Sequence, residues 1–158
     1  MDVFTREDYC RIIADSLNHC VAEKGMFVFA WVIMGNHVHL IFHSKNGPPE
    51  ALLGRFKEWT SKAIRKAIES HPQESRKEWL LWMMEQVAKK SSNVSGFQLW
   101  QHHNQPIELF TAPVFEQKLN YLHFNPVKAG LVALPEHWVY SNVNLVLIIV
   151  VTSNLGVF

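Results

Sequence analysis

Nine uninterrupted apolar residues, Met26 to Met34, meet Gly35-Asn36 and then a second run from His37 to His43, and this pairing limits the chain more than any other feature. The first run is rich in aromatic and β-branched side chains, and Gly-Asn is a turn signal, so the two runs predict a β-hairpin. Strand side chains alternate between faces. In the second strand His37, His39, Ile41 and His43 therefore share one face, and Val38, Leu40 and Phe42 share the other. A sheet face carrying three imidazoles is unusually polar and calls for a partner. Nine apolar residues, and the seven from Leu145 to Val151, also fall well short of the roughly 20 that cross a bilayer.

The hairpin is flanked by helical patterns. Tyr9, Ile12, Ile13, Leu17, Cys20 and Val21 recur at helical spacing behind Thr5, which predicts a helix over about 5–24 with Thr5 as its N-cap and Gly25 as its stop. A second helix follows Gly47-Pro48-Pro49 through Leu52, Phe56, Trp59, Ile64 and Ala67, ending at His71-Pro72. A third spans about 74–90, Phe97 to Trp100 reads as a short strand, and a further helix opens at Thr111 and Pro113 and is kinked or ended by Asn125-Pro126. With 158 residues, 48% of them apolar, six Trp and ten Phe, the expectation is one folded domain over 1–158, with an atypical tail from 142. No basic-then-apolar leader follows Met1, and Cys10 and Cys20 match no zinc spacing, so a cytoplasmic protein with reduced thiols is expected.

His37 and His39 stand roughly 6.6 Å apart on one strand face, close enough to share a metal ion. On spacing alone they read either as ligands or, more commonly, as two hydrogen-bonded surface histidines. Tyr121 and Asn125, four apart on a helix with Lys118 nearby, present a phenol and an amide on one face; a core tyrosine and an ordinary Asn-Pro terminator would look the same. The net charge of +1 names no partner, but residues 55–90 hold nine basic side chains against five acidic. Arg55, Lys57, Lys62, Arg65, Lys66 and Lys118 are thus candidate phosphate contacts, with Trp59, Trp79, Trp82 and Trp100 available to stack on unpaired bases; solvated helix faces would give the same count.

Two segments carry a family resemblance. Trp31-Val-Ile-Met-Gly-Asn-His-Val-His-Leu-Ile41 resembles the hydrophobe-His-hydrophobe signature of the HUH endonuclease superfamily. Tyr121-Leu-His-Phe-Asn-Pro-Val-Lys-Ala-Gly-Leu-Val132 resembles the catalytic helix of its single-tyrosine transposases, and the chain is most similar to their REP-associated tyrosine transposase group, from about Asp2 through Tyr140. The resemblance implies an α+β fold, a ferredoxin-like or RRM-like antiparallel sheet covered by helices. It implies a metal-dependent endonuclease and strand transferase acting on single-stranded DNA near hairpins, with Tyr121 as nucleophile and His37, His39 and Asn125 as ligands. Mg²⁺ or Mn²⁺ suits such a set better than structural zinc, which takes a closed shell of four. Single-stranded or hairpin DNA is the implied partner, no membrane is implied, and both monomer and homodimer are compatible.

Both ends of the chain depart from that family. Its members carry a strand ahead of the first helix, so here the expected sheet lacks its first strand. The seven aliphatic residues Leu145 to Val151 are expected to form a strand that fills the vacancy or pairs with a second subunit. Two rival functions fit the same residues: a non-catalytic hairpin-DNA-binding protein derived from a truncated transposase, and a metal-dependent hydrolase that forms no covalent intermediate.

Overall fold

The computed structural model describes residues 1–90, 96–101, 106–145 and 155–157. The order is α1 (Glu7–Glu23), β1 (Met26–Ile33), β2 (Val38–Ser44), α2 (Pro49–Ser70), α3 (Lys77–Lys89), β3 (Ile107–Leu109), α4 (Ala112–Lys128), two 3₁₀ turns (Pro135–His137 and Val143–Leu145) and β4 (Leu155–Val157). The strands form one antiparallel sheet in the order β1-β2-β4-β3. This is the α+β architecture expected, a sheet with helices on both faces.

The hairpin pairs Met26 with Ser44 at one end and Ile33 with Val38 at the other. An irregularity between Val28 and Ala30 lets β1 change parity: Met26 and Val28 before it, and Trp31 and Ile33 after it, all face α1 and α2. Ala30, Val32 and Met34 face the other way, into a smaller core completed by Ile41, Leu109 and Leu122 under α4. The larger core takes Tyr9, Ile13 and Leu17 from α1, Phe56, Ile64 and Ile68 from α2, and Leu80 and Met84 from α3. Complete burial of an aliphatic or aromatic side chain of this size contributes about 1.5–3 kcal/mol, so the three helices hold the hairpin firmly from one side.

Gly25 ends α1 with φ of 71°, a left-handed conformation that glycine adopts without strain, and its carbonyl accepts the Lys45 N–H to close the open end of the hairpin. Thr5 does not cap α1. The N-cap position is Arg6, and the Thr5 hydroxyl instead accepts a hydrogen bond from Arg76 Nη2 at 2.7 Å. The third helix begins at Lys77 rather than 74, because the Glu74 side chain turns back to accept the Arg76 backbone N–H at 3.1 Å. Phe97 to Trp100 is not a strand: the Gln98 N–H goes to the Met84 carbonyl, and Phe97, Leu99 and Trp100 pack onto the helical core, where no strand among the described residues lies alongside to pair with them. Pro126 sits inside α4, which continues to Lys128; only the last turn lies beyond it, so the lost N–H disturbs little.

No described strand precedes α1. The place between β2 and β3 is taken by β4, which pairs Val157 with both Ile41 and Ile107. The strand from the tail is therefore Leu155–Val157; Leu145 belongs to a 3₁₀ turn, and residues 146–151 lie outside the described residues. The outer edge of β1 is partly covered as well. Ile33 N–H donates to the Tyr140 carbonyl, and Asn142 bridges Trp31 N–H, through Oδ1 at 2.8 Å, and the Phe29 carbonyl, through Nδ2 at 2.9 Å.

Candidate active site

The polar face of β2 has its partner in α4. Leu122 is buried in the smaller core, with Phe115 and Leu119 packed against it, and this anchors the helix across β1 and β2. Helical spacing then lays Lys118, Tyr121, Asn125 and Lys128 along one stripe at the margin of the sheet. His39 projects toward that stripe because Leu40, its neighbour, is committed to the opposite core.

The four residues singled out from the sequence come together. The rings of His37 and His39 are 4.7 Å apart between centroids, and the His39 ring stands edge-on to that of Tyr121 at 5.5 Å. Asn125 lies beside His37, whose Nδ1 is 2.5 Å from Asn36 Oδ1. Tyr121 is 49% exposed. Lys128 places its ammonium 5.0 Å from the centre of the Tyr121 ring. Seven residues after Tyr121, this lysine shares the helix face of Lys118, a placement that helical spacing alone signals.

Burial pushes the His39 imidazolium down to about 4, and the neighbouring His37 adds to the effect. His37 is lowered too, again first by burial, with the adjacent Asn125 side chain opposing. Both imidazoles are thus held neutral near pH 7, the state in which a ring nitrogen offers a lone pair to a cation. Among the described residues no three His, Cys, Asp or Glu side chains cluster. An amide oxygen, that of Asn125, is the third donor at hand. Two imidazoles and one amide suit a hard or borderline divalent ion that keeps positions open, so the residues present fit such a metal. His123, on the same helix, is buried near Asn142, and its Nε2 has no hydrogen-bond partner among the described residues.

The family model for IS200-like transposases matches residues 2–102. This chain belongs to the IS200-like transposase family. The matched span contains His37 and His39 and ends ahead of α4, so the family and the meeting of the two segments are independent observations. No curated protein and no solved structure matches the sequence. No helix among the described residues is long and apolar enough to cross a membrane.

The basic residues of α2 do not form one surface. Arg55 and Lys62 line a groove of about 320 Å³ between α1 and α2, beside the exposed Trp59. Lys62 pairs with Glu58 and Arg65 with Glu69, and Arg65 also lies over the Phe97 ring at 4.5 Å. Lys66 is exposed. Lys57 points the other way and donates to the Gln101 carbonyl at 3.0 Å, where burial lowers its pKa.

An assembly with no local signature in the sequence steadies the site from behind. Glu74, its side chain 1% exposed, accepts hydrogen bonds from Arg6 Nε at 2.8 Å, Tyr9 hydroxyl at 3.1 Å and Arg76 Nε at 3.2 Å. Arg76 reaches on to the Asp2 carbonyl and the Thr5 hydroxyl. Two residues along, Phe4 N–H donates to the Gly35 carbonyl at 2.8 Å, in the turn that leads into His37.

Proposed function

We propose that this transposase-family chain is a metal-dependent endonuclease and strand transferase for single-stranded DNA near hairpins, working through a 5′-phosphotyrosine intermediate. The observation that carries the reading is the meeting of Tyr121 and Asn125 with His37 and His39, from segments far apart in the chain. His37, His39 and Asn125 would hold the ion, Mg²⁺ or Mn²⁺. When bound, it supplies Lewis-acid stabilisation of charge developing on the scissile phosphate.

The protein's own residues do the rest. Tyr121, exposed at the margin of the sheet, attacks phosphorus through its hydroxyl oxygen as the bond to the 3′ oxygen breaks. The products are a 5′-phosphotyrosine and a free 3′-hydroxyl, the phenolic proton being lost and one gained by the leaving oxygen. The ester keeps the energy of the broken bond, so a second 3′-hydroxyl can reverse the step and join a new strand. Lys128 beside the ring, and Lys118 one turn earlier, supply positive charge where phosphates must pass.

A nicking assay on single-stranded hairpin DNA with Mn²⁺ tests this directly. The expected product is a covalent protein–DNA adduct, lost in Tyr121→Phe while DNA binding persists. An adduct formed by Tyr121→Phe rules out this nucleophile. A mobility shift with no cleavage by the unaltered protein favours a binding protein, and cleavage with no adduct favours a hydrolase.

A further inference from the structure

On the face of the sheet away from α4, a cavity of about 410 Å³ adjoins the catalytic groups. Val38 and Leu40, which alternate with His39 along β2, lie along it, and His37 belongs to its rim as well as to the site. Three aromatic rings line it: Phe4, Phe56 and Trp100. The Trp100 ring is 5.6 Å from Phe4 and 6.4 Å from Phe56, and its indole N–H donates to Thr60 Oγ1 at 2.9 Å, which fixes its orientation.

The polar groups of the lining are few. Lys57 brings a half-buried ammonium, and Asn36 an exposed amide beside His37. Gln98 donates through Nε2 to the Trp100 carbonyl at 2.8 Å, while its Oε1 is shielded from water and accepts no hydrogen bond among the described residues. Aromatic faces with a handful of donors and acceptors, in a volume at the lower end of small-ligand sites, are the chemistry that holds a flat, polar-edged heterocycle. An ammonium suits ring-nitrogen and carbonyl acceptors, and an unpartnered amide oxygen suits an amino group.

The two faces are connected. β4 pairs with β2 only at Ile41 and Phe42, so from Val38 to Leu40 that edge has no strand beside it among the described residues. A DNA strand whose phosphate lies at His37 and His39 can cross this edge and put a neighbouring nucleotide on the far side.

We propose that the cavity takes one unpaired nucleobase of the strand being cut, within two nucleotides of the scissile phosphate, and so sets where cleavage falls. This rests on the nuclease reading above. The test uses a pool of single-stranded DNA hairpins with randomised flanks: covalent adducts with the unaltered protein are captured and sequenced, and the selected sequence is then remade with an abasic residue at each flank position in turn. The expected result is one position beside the cut with a strong base preference, where the abasic residue lowers adduct yield roughly tenfold. Gln98→Ala and Lys57→Met should flatten the preference at that position alone. Each profile is normalised to its own total yield, so loss of folded protein cannot imitate the effect. Adducts with no preferred flank position, or with profiles that both variants leave unchanged, overturn the base pocket and leave the nuclease reading standing. No adduct from any member of the pool overturns both.

Discussion

Replacing Glu74 by Gln keeps the side-chain shape and removes one buried negative charge, and the consequence can be worked out from its surroundings. Burial on its own would raise this carboxyl, but hydrogen bonds from Arg6, from the backbone and side chain of Arg76 and from Tyr9 hold it down to about 2, against an ordinary 4.5. A difference of that size corresponds to about 3 kcal/mol of stability at neutral pH. Both guanidinium groups are about one-third open to water, at 31% and 35%, and screening reduces the figure to about 2 kcal/mol. Because the folded-state value lies below the unfolded one, the contribution is complete above about pH 4.5 and disappears as the pH falls toward 2. Urea denaturation of the two proteins at pH 7 and pH 3 should therefore give a gap of about 2 kcal/mol at pH 7 that shrinks by more than half at pH 3. A gap below about 0.5 kcal/mol at pH 7, or two stabilities falling in parallel over that range, would refute the account.

Other outcomes follow from the site and the turns. His39→Ala should weaken Mn²⁺ binding measured by calorimetry, and EDTA should stop cleavage while leaving much of the DNA affinity, since phosphate contacts do not need the ion; equal cleavage in EDTA and Mn²⁺ would exclude the metal. Tyr121→Phe should leave the melting curve almost unmoved, because the side chain is 49% exposed and its hydroxyl supports no packing. Gly25→Ala should cost at least about 1 kcal/mol in denaturant titration, for φ is 71° and the new Cβ would stand 2.6 Å from Asn46 Nδ2. Asn142→Ala should cost about 2 kcal/mol, since it leaves the Trp31 N–H and the Phe29 carbonyl without this partner at a buried position.

The parts of this molecule governed by local rules could be read in advance. Alternation at the start of β2 and in the residue leading into it put His37 and His39 on one side, and the four-residue interval put Tyr121 and Asn125 on one side of α4; each is a consequence of a repeat of two or 3.6 residues. That the two sides face each other is tertiary, and only the family resemblance suggested it. Phe97 to Trp100 misled because aromatic side chains favour strands and also fill gaps between helices, and here the gap over Thr60 and Met84 prevailed. Glu74 gave no signal, since a single carboxylate in a polar loop looks solvated until Arg6, Tyr9 and Arg76 converge on it. Ile107–Leu109 and Leu155–Val157 are each three residues long, too short for alternation to declare itself. The divergence of Lys57 from Arg55 and Lys62 was visible in the helical repeat, and counting charges concealed it.

The position of β4 also orders events during synthesis. Val157 pairs with Ile41 across a long stretch of sequence, so the hairpin, helices α1 to α4 and β3 emerge from the ribosome before the strand that joins β2 to β3 exists. Until then β2 and β3 each present bare backbone hydrogen-bonding groups to whatever is near, including other nascent copies. Helices α1, α2 and α3 can already have packed on one face of the hairpin in that interval, and His39 and Tyr121 can already have met on the other. Closure of the sheet is then the slow, long-range step, and the rate at which folded protein appears should follow the formation of this pairing more than the packing of the helical core.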